Sequence, residues 1–164
     1  MLAVAMAPAW ADMAEDHDKA IKMWQMGNVV DAMTQFTANA EKGYAPSQVW
    51  LATLMDQAQQ DEDAVKWFQK AAEQGNAAGE YGLGLMYGKG EGVKQDNAKA
   101  LEYITRAAEK DHIDAVTALV GIYTKGGLGV EPNAEKGEFW TAKAAALAPR
   151  EEQKQEAAKK KRRK

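Results

Sequence analysis

Residues 70–75 read Lys-Ala-Ala-Glu-Gln-Gly, and this hexapeptide decides the fold because it recurs along the chain. Similar hexapeptides begin at Arg106 and Lys143 and a weaker one begins at Ala38, so that successive copies are 32, 36 and 37 residues apart. A period of about 20 to 50 residues is typical of repeat proteins, in which each repeat is one supersecondary unit. The sequence therefore predicts about four units. They lie near residues 14–43, 44–75, 76–111 and 112–148.

Other residues keep the same spacing from this hexapeptide. An aromatic residue stands three positions before each of the three stronger copies, at Trp67, Tyr103 and Trp140. Earlier in each of these units a leucine precedes a Met or Tyr by four residues, as Leu83 precedes Tyr87. Residues three or four apart lie on one side of a helix, so this spacing indicates two helices in each unit. One pair of helices leaves an apolar face bare, and neighbouring pairs must therefore stack on it.

The ends of the helices can be predicted from the residues that lie between them. Gly43 and Gly75 stand where a helix C-terminus favours a left-handed residue, and Asp61 and Asp96 stand where a helix N-cap favours a hydrogen-bond acceptor. Pro132 stands just before or inside the first turn of its helix, where its missing N–H costs nothing. The predicted helices cover about residues 15–27, 29–42, 46–58, 61–74, 77–88, 96–110, 113–124 and 133–147.

Residues 82–93 read Gly-Leu-Gly-Leu-Met-Tyr-Gly-Lys-Gly-Glu-Gly-Val, followed by Asp96, Lys99-Ala100 and Tyr103. This stretch resembles the Sel1-like repeat, whose pattern is LGxxYxxGxGVxxDxxKAxxWxxKAAEQG. The fourth unit resembles it too, with one extra residue near Gly127 and Leu128, whereas the first two units resemble the related tetratricopeptide repeats. The resemblance covers about residues 14–148 and implies an all-α fold, a short right-handed α-solenoid of about four antiparallel helix pairs.

The resemblance also implies a function. Sel1-like and tetratricopeptide proteins generally act as adaptors, in which the first helix of each unit lines a concave groove that holds a peptide or a helix of a partner. We therefore expect a non-catalytic scaffold with a protein or peptide partner. Trp24 and Trp50 would be further anchors if either is exposed on this face. The groove candidates are Val49, Thr53, Gln57, Tyr81, Leu85, Lys89, Thr117, Gly121 and Lys125.

The residue inventory argues against catalysis and against a cofactor or metal. The chain contains no cysteine, Ser47 is its single serine, and His17 and His112 lie in different units without ligand spacing. The glycines of residues 88–92 do not form a phosphate loop, because such a loop follows a strand and this stretch follows a helix. We therefore expect no catalytic residue, no metal ligand and no cofactor. The alternative, a hydrolase or an enzyme accessory subunit on the same scaffold, would need clustered His, Asp and Glu.

The beginning of the chain suggests export. Residues 1–11 read MLAVAMAPAWA and end in the small-x-small pattern of a signal peptidase site. They predict the remnant of a secretory signal and a periplasmic or otherwise secreted protein. An apolar N-terminal arm on a cytoplasmic protein is the alternative. No stretch approaches the roughly 20 apolar residues that a membrane span needs.

The end of the chain is basic. Residues 150–164 carry eight basic and three acidic residues, so a net charge of +5 stands beside −8 on the rest of a protein whose net charge is −3. We expect a solvated helix extension that frays, and a tail that can contact an acidic protein or an anionic surface. Nucleic acid is the less expected partner, because no aromatic residue interrupts the run. The run consists of Lys159, Lys160, Lys161, Arg162, Arg163 and Lys164.

Overall fold

A computed structural model describes the backbone of residues 6–162 and the side chains of residues 10–148. This part of the chain forms eight helices, with one isolated β-bridge, between Gly127 and Val130. The helices are α1 Met6–Gln25, α2 Val29–Glu41, α3 Ala45–Gln57, α4 Asp61–Glu73, α5 Ala77–Lys89, α6 Asn97–Glu109, α7 Ile113–Lys125 and α8 Ala134–Arg162. They pack as successive pairs, which we name unit 1 (α1, α2), unit 2 (α3, α4), unit 3 (α5, α6) and unit 4 (α7, α8). The predicted all-α solenoid is confirmed.

The helix ends have the predicted chemistry at most positions. Gly43 and Gly75 follow their helices with φ of +95° and +76°, which is the left-handed conformation that glycine adopts without steric cost. The Asp96 side chain accepts a hydrogen bond from the Lys99 backbone N–H at 3.0 Å, as an N-cap does. The prediction for Asp61 is wrong, because Gln60 is the N-cap and Asp61 is the first helical residue. Its carboxylate there favours the positive end of the helix dipole.

Each junction between units is filled by one apolar cluster. Phe36 is completely buried between units 1 and 2. Phe68 and Leu83 occupy the junction of units 2 and 3, and Ile104 and Leu119 occupy that of units 3 and 4. Burial of one such side chain contributes about 1.5–3 kcal/mol. The stack is therefore held together by contacts between neighbouring units.

Both ends of the fold are longer than predicted. The first helix begins at Met6 rather than near residue 15, so that residues 6–11 are helical, and the Trp10 ring lies 6.0 Å from the Tyr44 ring. The last helix continues through Pro149 to Arg162 rather than ending near residue 147. Residues 1–5, 163 and 164 lie outside the described part of the chain.

One buried position of the first helix has a different chemistry in each of units 2 to 4. In unit 2 it is Gln48, whose amide donates to the Ala40 carbonyl at 3.0 Å and accepts from Gln74 at 2.8 Å. In unit 4 the same two positions hold Val116 and Leu147, which lie in one apolar cluster. In both residue pairs one residue lies on the first helix of the unit and the other lies in its second helix or at the C-cap of that helix.

In unit 3 this position holds a carboxylate. Glu80 is completely buried, and its Oε2 accepts a hydrogen bond from Lys110 Nζ at 2.7 Å. Arg106 Nη2 lies 2.7 Å from Oε1 and forms an ion pair, although its N–H does not point at that oxygen. Lys110 also donates to the Gly75 carbonyl of unit 2 at 2.9 Å. The buried charge thus connects units 2 and 3.

Candidate partner-binding surface

The predicted groove residues form three parallel rows, one on the first helix of each of units 2 to 4. Rows follow from the spacing, because residues four apart share one side of a helix. Four of the nine side chains, Gln57, Lys89, Thr117 and Lys125, are exposed, and the other five are half-buried. Thr53 and Thr117 donate their hydroxyls to the backbone carbonyls four residues earlier, both at 2.9 Å. Neither hydroxyl is therefore needed for contacts with another helix.

Two of the nine groove candidates also contribute to packing between units. Val49 packs against the cluster between units 2 and 3. Tyr81 packs against the cluster between units 3 and 4, with its ring centroid 5.1 Å from that of His112. Burial raises the pKa of the Tyr81 phenol, and the nearby Asp114 carboxylate raises it further. Both side chains contact a cluster between two units, and helical spacing alone does not reveal such contacts.

A cleft of about 280 Å³ opens on this face beside α3. The Trp24 and Trp50 rings meet edge to face at 6.3 Å, and Trp50 also stacks on Phe36 at 5.1 Å with an interplanar angle of 10°. Trp24 and Trp50 were predicted to be anchors if they were exposed on this face. Both indoles are half-buried, so each is exposed in part. Packing on one side holds the rings in place while the other side remains open. The cleft is lined by Trp24, Val49, Trp50, Thr53, Leu54 and Gln57.

Two lysines mark the C-terminal ends of α5 and α7 on the same face. Lys89 Nζ forms an ion pair with Glu91 Oε2 at 2.9 Å, and this carboxylate is the chief cause of the raised pKa of Lys89. Lys125 forms no ion pair with any described residue. On this face Lys89 is therefore neutralised by Glu91, whereas Lys125 adds a positive charge at the end of unit 4.

A buried polar contact that sequence reasoning missed joins units 1 and 2. His17 Nδ1 lies 2.9 Å from Ser47 Oγ, and the two residues are 7% and 0% exposed. The Phe36 and Tyr44 rings each lie 5.5 Å from the imidazole. Burial lowers the pKa of His17, which opposes protonation. A substrate has no access to the Ser47 hydroxyl, so this pair serves packing rather than nucleophilic catalysis.

His112 also has a structural role, as a helix cap. It is half-buried rather than facing solvent, and it is the N-cap of α7, where its Nδ1 accepts from the Ala115 backbone N–H at 3.4 Å. Among the described side chains no group of three or more His, Asp and Glu could hold a metal ion. No described helix is long and apolar enough to cross a membrane.

A cleft of about 720 Å³ lies between α7 and α8. It corresponds to the surface of unit 2 that α5 covers, since Gly137 and Thr141 occupy the positions of Ala64 and Phe68. Its one titratable carboxylate is Glu138. Such a surface suits helix packing and offers no acid–base pair.

The basic tail is helical as far as the structure describes it. The backbone of residues 159–162 lies in the last turn of α8, while their side chains, and the whole of Arg163 and Lys164, lie outside the described residues. Contact of the tail with an acidic partner or an anionic surface stays a prediction.

The sequence and the fold of this chain are similar to those of known repeat proteins. The Sel1 repeat profile matches residues 47–76, 77–112 and 118–149, which correspond to units 2 to 4. A Sel1 repeat protein from Oxalobacter formigenes superimposes with a TM-score of 0.74 at 22% identity, covering 82% of this chain and 58% of that one. A protective antigen of uropathogenic Escherichia coli strains, displaying an SLR fold, gives a TM-score of 0.64 at 32% identity, covering 71% of this chain and 26% of that one.

Sequence relatives are longer than this chain. An uncharacterized protein of Neisseria meningitidis is 29% identical in an alignment of 133 positions, which covers 74% of this chain but only 28% of the relative. Chitin synthase regulatory factor 3 of Schizosaccharomyces pombe is 31% identical over 81 residues, 49% of this chain and 9% of that protein. Sel1 repeat proteins are generally protein-interaction scaffolds. With three matched repeats on a solenoid of helix pairs, the chain belongs to the Sel1 repeat family.

Proposed function

We propose that the protein is a non-catalytic adaptor that binds a partner protein or peptide on the face formed by α3, α5 and α7. The observation that carries this proposal is the row of half-buried and exposed side chains on the first helix of each of three successive units. The aromatic cleft beside α3 lies on the first of these rows. Half-buried aromatic residues in a concave surface are common anchors of protein interfaces.

Leu85 offers the sharpest test of this face. It is half-buried, lies in the middle row and belongs to none of the three apolar clusters, so a change there spares the described core. We expect Leu85→Arg to reduce capture of partners by the full chain at least tenfold in a pull-down from its native envelope fraction, with helix content retained in far-UV circular dichroism.

The control places the same charge on the opposite helix layer. Ala98 is exposed near the start of α6, the second helix of the same unit, so Ala98→Arg should capture partners like the parent. Equal capture by the Leu85 variant and the parent would overturn the assignment of this face. Loss of capture by both variants would also count against it.

We propose a periplasmic location for this adaptor, on the pattern Ala9-Trp10-Ala11 before Asp12. Cleavage there would remove Trp10 and its contact with Tyr44, while the side-chain contacts of α1 from His17 onward would remain. Intact mass measurement of the native protein tests this proposal. A mass that begins at Asp12 supports it, and a cytoplasmic protein that retains Trp10 contradicts it.

A further inference from the structure

The cleft beside α3 has an uncharged lining, although the protein is acidic overall. Two indoles, a valine and a leucine form its walls, and the polar groups of its lining side chains are the two indole N–H groups, the hydroxyl of Thr53 and the amide of Gln57. A charged side chain entering it would lose water without gaining an opposite charge, which is costly. An apolar side chain would gain burial against the indole faces. The lining therefore favours an uncharged occupant.

The two indoles of the cleft differ from the repeat aromatics elsewhere in the molecule. Lys70, Arg106 and Lys143 lie over the rings of Trp67, Tyr103 and Trp140 at 4.0, 5.4 and 5.6 Å. No described cation lies over Trp24 or Trp50. Since the protein's own basic side chains cover the other rings and leave these two uncovered, the cleft is free to accept a group from outside.

The size of the cleft limits what can enter. At about 280 Å³ it lies just below the range of roughly 300–1,000 Å³ that is usual for sites of small molecules and cofactors. That volume suits one large side chain. The rows of groove residues on α5 and α7, which end at Lys89 and Lys125, give room for the rest of a peptide.

We infer that the cleft is an anchor pocket for one large uncharged side chain of an extended peptide, and that carboxylates of the same peptide lie near Lys125. The inference deepens the proposed function and rests on it. Packed helices lie about 8–10 Å apart, so α7 is on the order of 20 Å from α3. At about 3.3 Å per residue, an extended peptide crosses that distance in about six residues. The expected ligand therefore carries Trp, Phe or Leu about six residues away from Asp or Glu.

The pocket can be tested with small probes on the full, ¹⁵N-labelled protein. N-acetyl-tryptophanamide should shift the indole N–H signals of Trp24 and Trp50 in a saturable way, with a Kd at least tenfold lower than that of N-acetyl-lysinamide. Equal Kd values for the two probes would overturn the inference. So would shifts confined to other tryptophans.

A matched pair of variants locates the site. Thr53→Trp should close the cleft and raise the Kd of N-acetyl-tryptophanamide at least tenfold. The control Ala98→Trp adds the same ring on the opposite helix layer, where Ala98 is exposed, and should leave the Kd within twofold of the parent. If Thr53→Trp does not fold, Gln57→Trp closes the same cleft from an exposed position. An unchanged Kd in the closed variants would overturn the site.

The preference for carboxylates is tested with two peptides. Gly-Trp-Gly-Ser-Gly-Ser-Gly-Asp-Asp-Gly should bind at least threefold more tightly than the same peptide with two lysines in place of the aspartates. Lys125→Glu and 0.5 M salt should each remove the difference, since exposed charges are screened. Tighter binding of the basic peptide to the parent would overturn this half of the inference.

These outcomes are separate from those of the proposed function. Partner capture that depends on Leu85, together with probes that do not enter the cleft, overturns the pocket and leaves the adaptor surface. Probe binding in the cleft, together with capture that does not change in Leu85→Arg, supports the pocket and overturns the wider surface.

Discussion

At the scale of single residues, one position shows how a buried site can be satisfied in three ways. Gln48 in unit 2 uses an amide pair, Glu80 in unit 3 uses a carboxylate with two cations, and Val116 in unit 4 uses an apolar contact. A buried carboxylate must recover the loss of hydration from its partners, whereas an apolar side chain has no such loss. Removal of one partner of the Glu80 ion pair should therefore lower the stability, whereas replacement of both partners by apolar residues should change it little.

We expect Glu80→Ala to lower the free energy of unfolding by about 1–3 kcal/mol, because it removes charge-assisted contacts while Lys110 and Arg106, whose side chains are 41% and 44% exposed, stay hydrated. The double variant Glu80→Val, Lys110→Leu copies the pair Val116 and Leu147, and should stay within about 1 kcal/mol of the parent or exceed it. Urea unfolding followed by circular dichroism measures both. A double variant as unstable as the single one would show that the two sites are not equivalent.

His17 makes stability depend on pH. Its pKa is lowered in the folded protein by burial, which outweighs the opposing effect of the Asp18 carboxylate. The unfolded chain therefore binds a proton first as pH falls below about 6.5, and stability decreases from there until the folded pKa is passed. The free energy of unfolding at pH 7.5, 6.5 and 5.5 measures this loss.

The control for this prediction is His17→Phe, which keeps an aromatic ring against Phe36 and Tyr44 and cannot titrate. Its stability should change less between pH 7.5 and 5.5 than that of the parent. His112 and the carboxylates are common to both proteins, so an equal decrease in both would mean that His17 is not responsible.

At the scale of elements, the loops of the later units differ from the tight turns of the earlier ones. Units 1 and 2 join their helices through three residues, whereas residues 90–96 form a longer connection in unit 3. Gly92 in that loop has a φ of +66° and lies against the backbone of Asp61. The loop thus packs on the start of α4 and adds a contact between units 2 and 3.

We expect Gly92→Ala to lower the free energy of unfolding by about 2–4 kcal/mol, because a Cβ there would overlap the Asp61 backbone and a left-handed φ is unfavourable for alanine. Gly129 also has a left-handed φ, of +74°, but the nearest atom to such a Cβ is 3.9 Å away. Gly129→Ala should therefore cost only about 1–2 kcal/mol. Thermal unfolding of the two variants separates steric overlap from backbone strain.

At the scale of the whole molecule, packing connects each helix mainly to its neighbours in the chain. Each apolar cluster belongs to one junction, so stability is close to a sum over junctions. A substitution that unfolds a middle unit removes two junctions at once, whereas a substitution that unfolds a terminal unit removes one.

Leu83 is 1% exposed in the junction of units 2 and 3, and we expect Leu83→Asp to unfold unit 3 by burying an unpaired charge. Hydrogen exchange should show loss of protection throughout α5 and α6 and weaker protection in α4 and α7. Leu85→Arg, two residues away on the partner-binding face, should leave protection unchanged. The same exchange pattern in both variants would contradict the division between core and surface rows.

The repeat spacing predicted the eight helices and the turns at Gly43 and Gly75, because local periodicity and left-handed glycines are properties of neighbouring residues. Contacts between units could not be predicted in this way. His17 and Ser47 are 30 residues apart and on different units, and the packing of Tyr81 depends on how closely unit 4 approaches. The sequence did not predict the cleft itself. It predicted only that Trp24 and Trp50 would be anchors if they were exposed, because the exposure of a side chain depends on how the units pack.

The pairs at Gln48, Glu80 and Val116 also bear on how the chain assembles. Each pair lies within one hairpin, Gln48 with Gln74, Glu80 with Lys110 and Val116 with Leu147. A hairpin can therefore satisfy this position before its neighbours have docked. Stacking of the units then adds hydrogen bonds to backbone carbonyls of the preceding unit, from Gln48 to Ala40 and from Lys110 to Gly75.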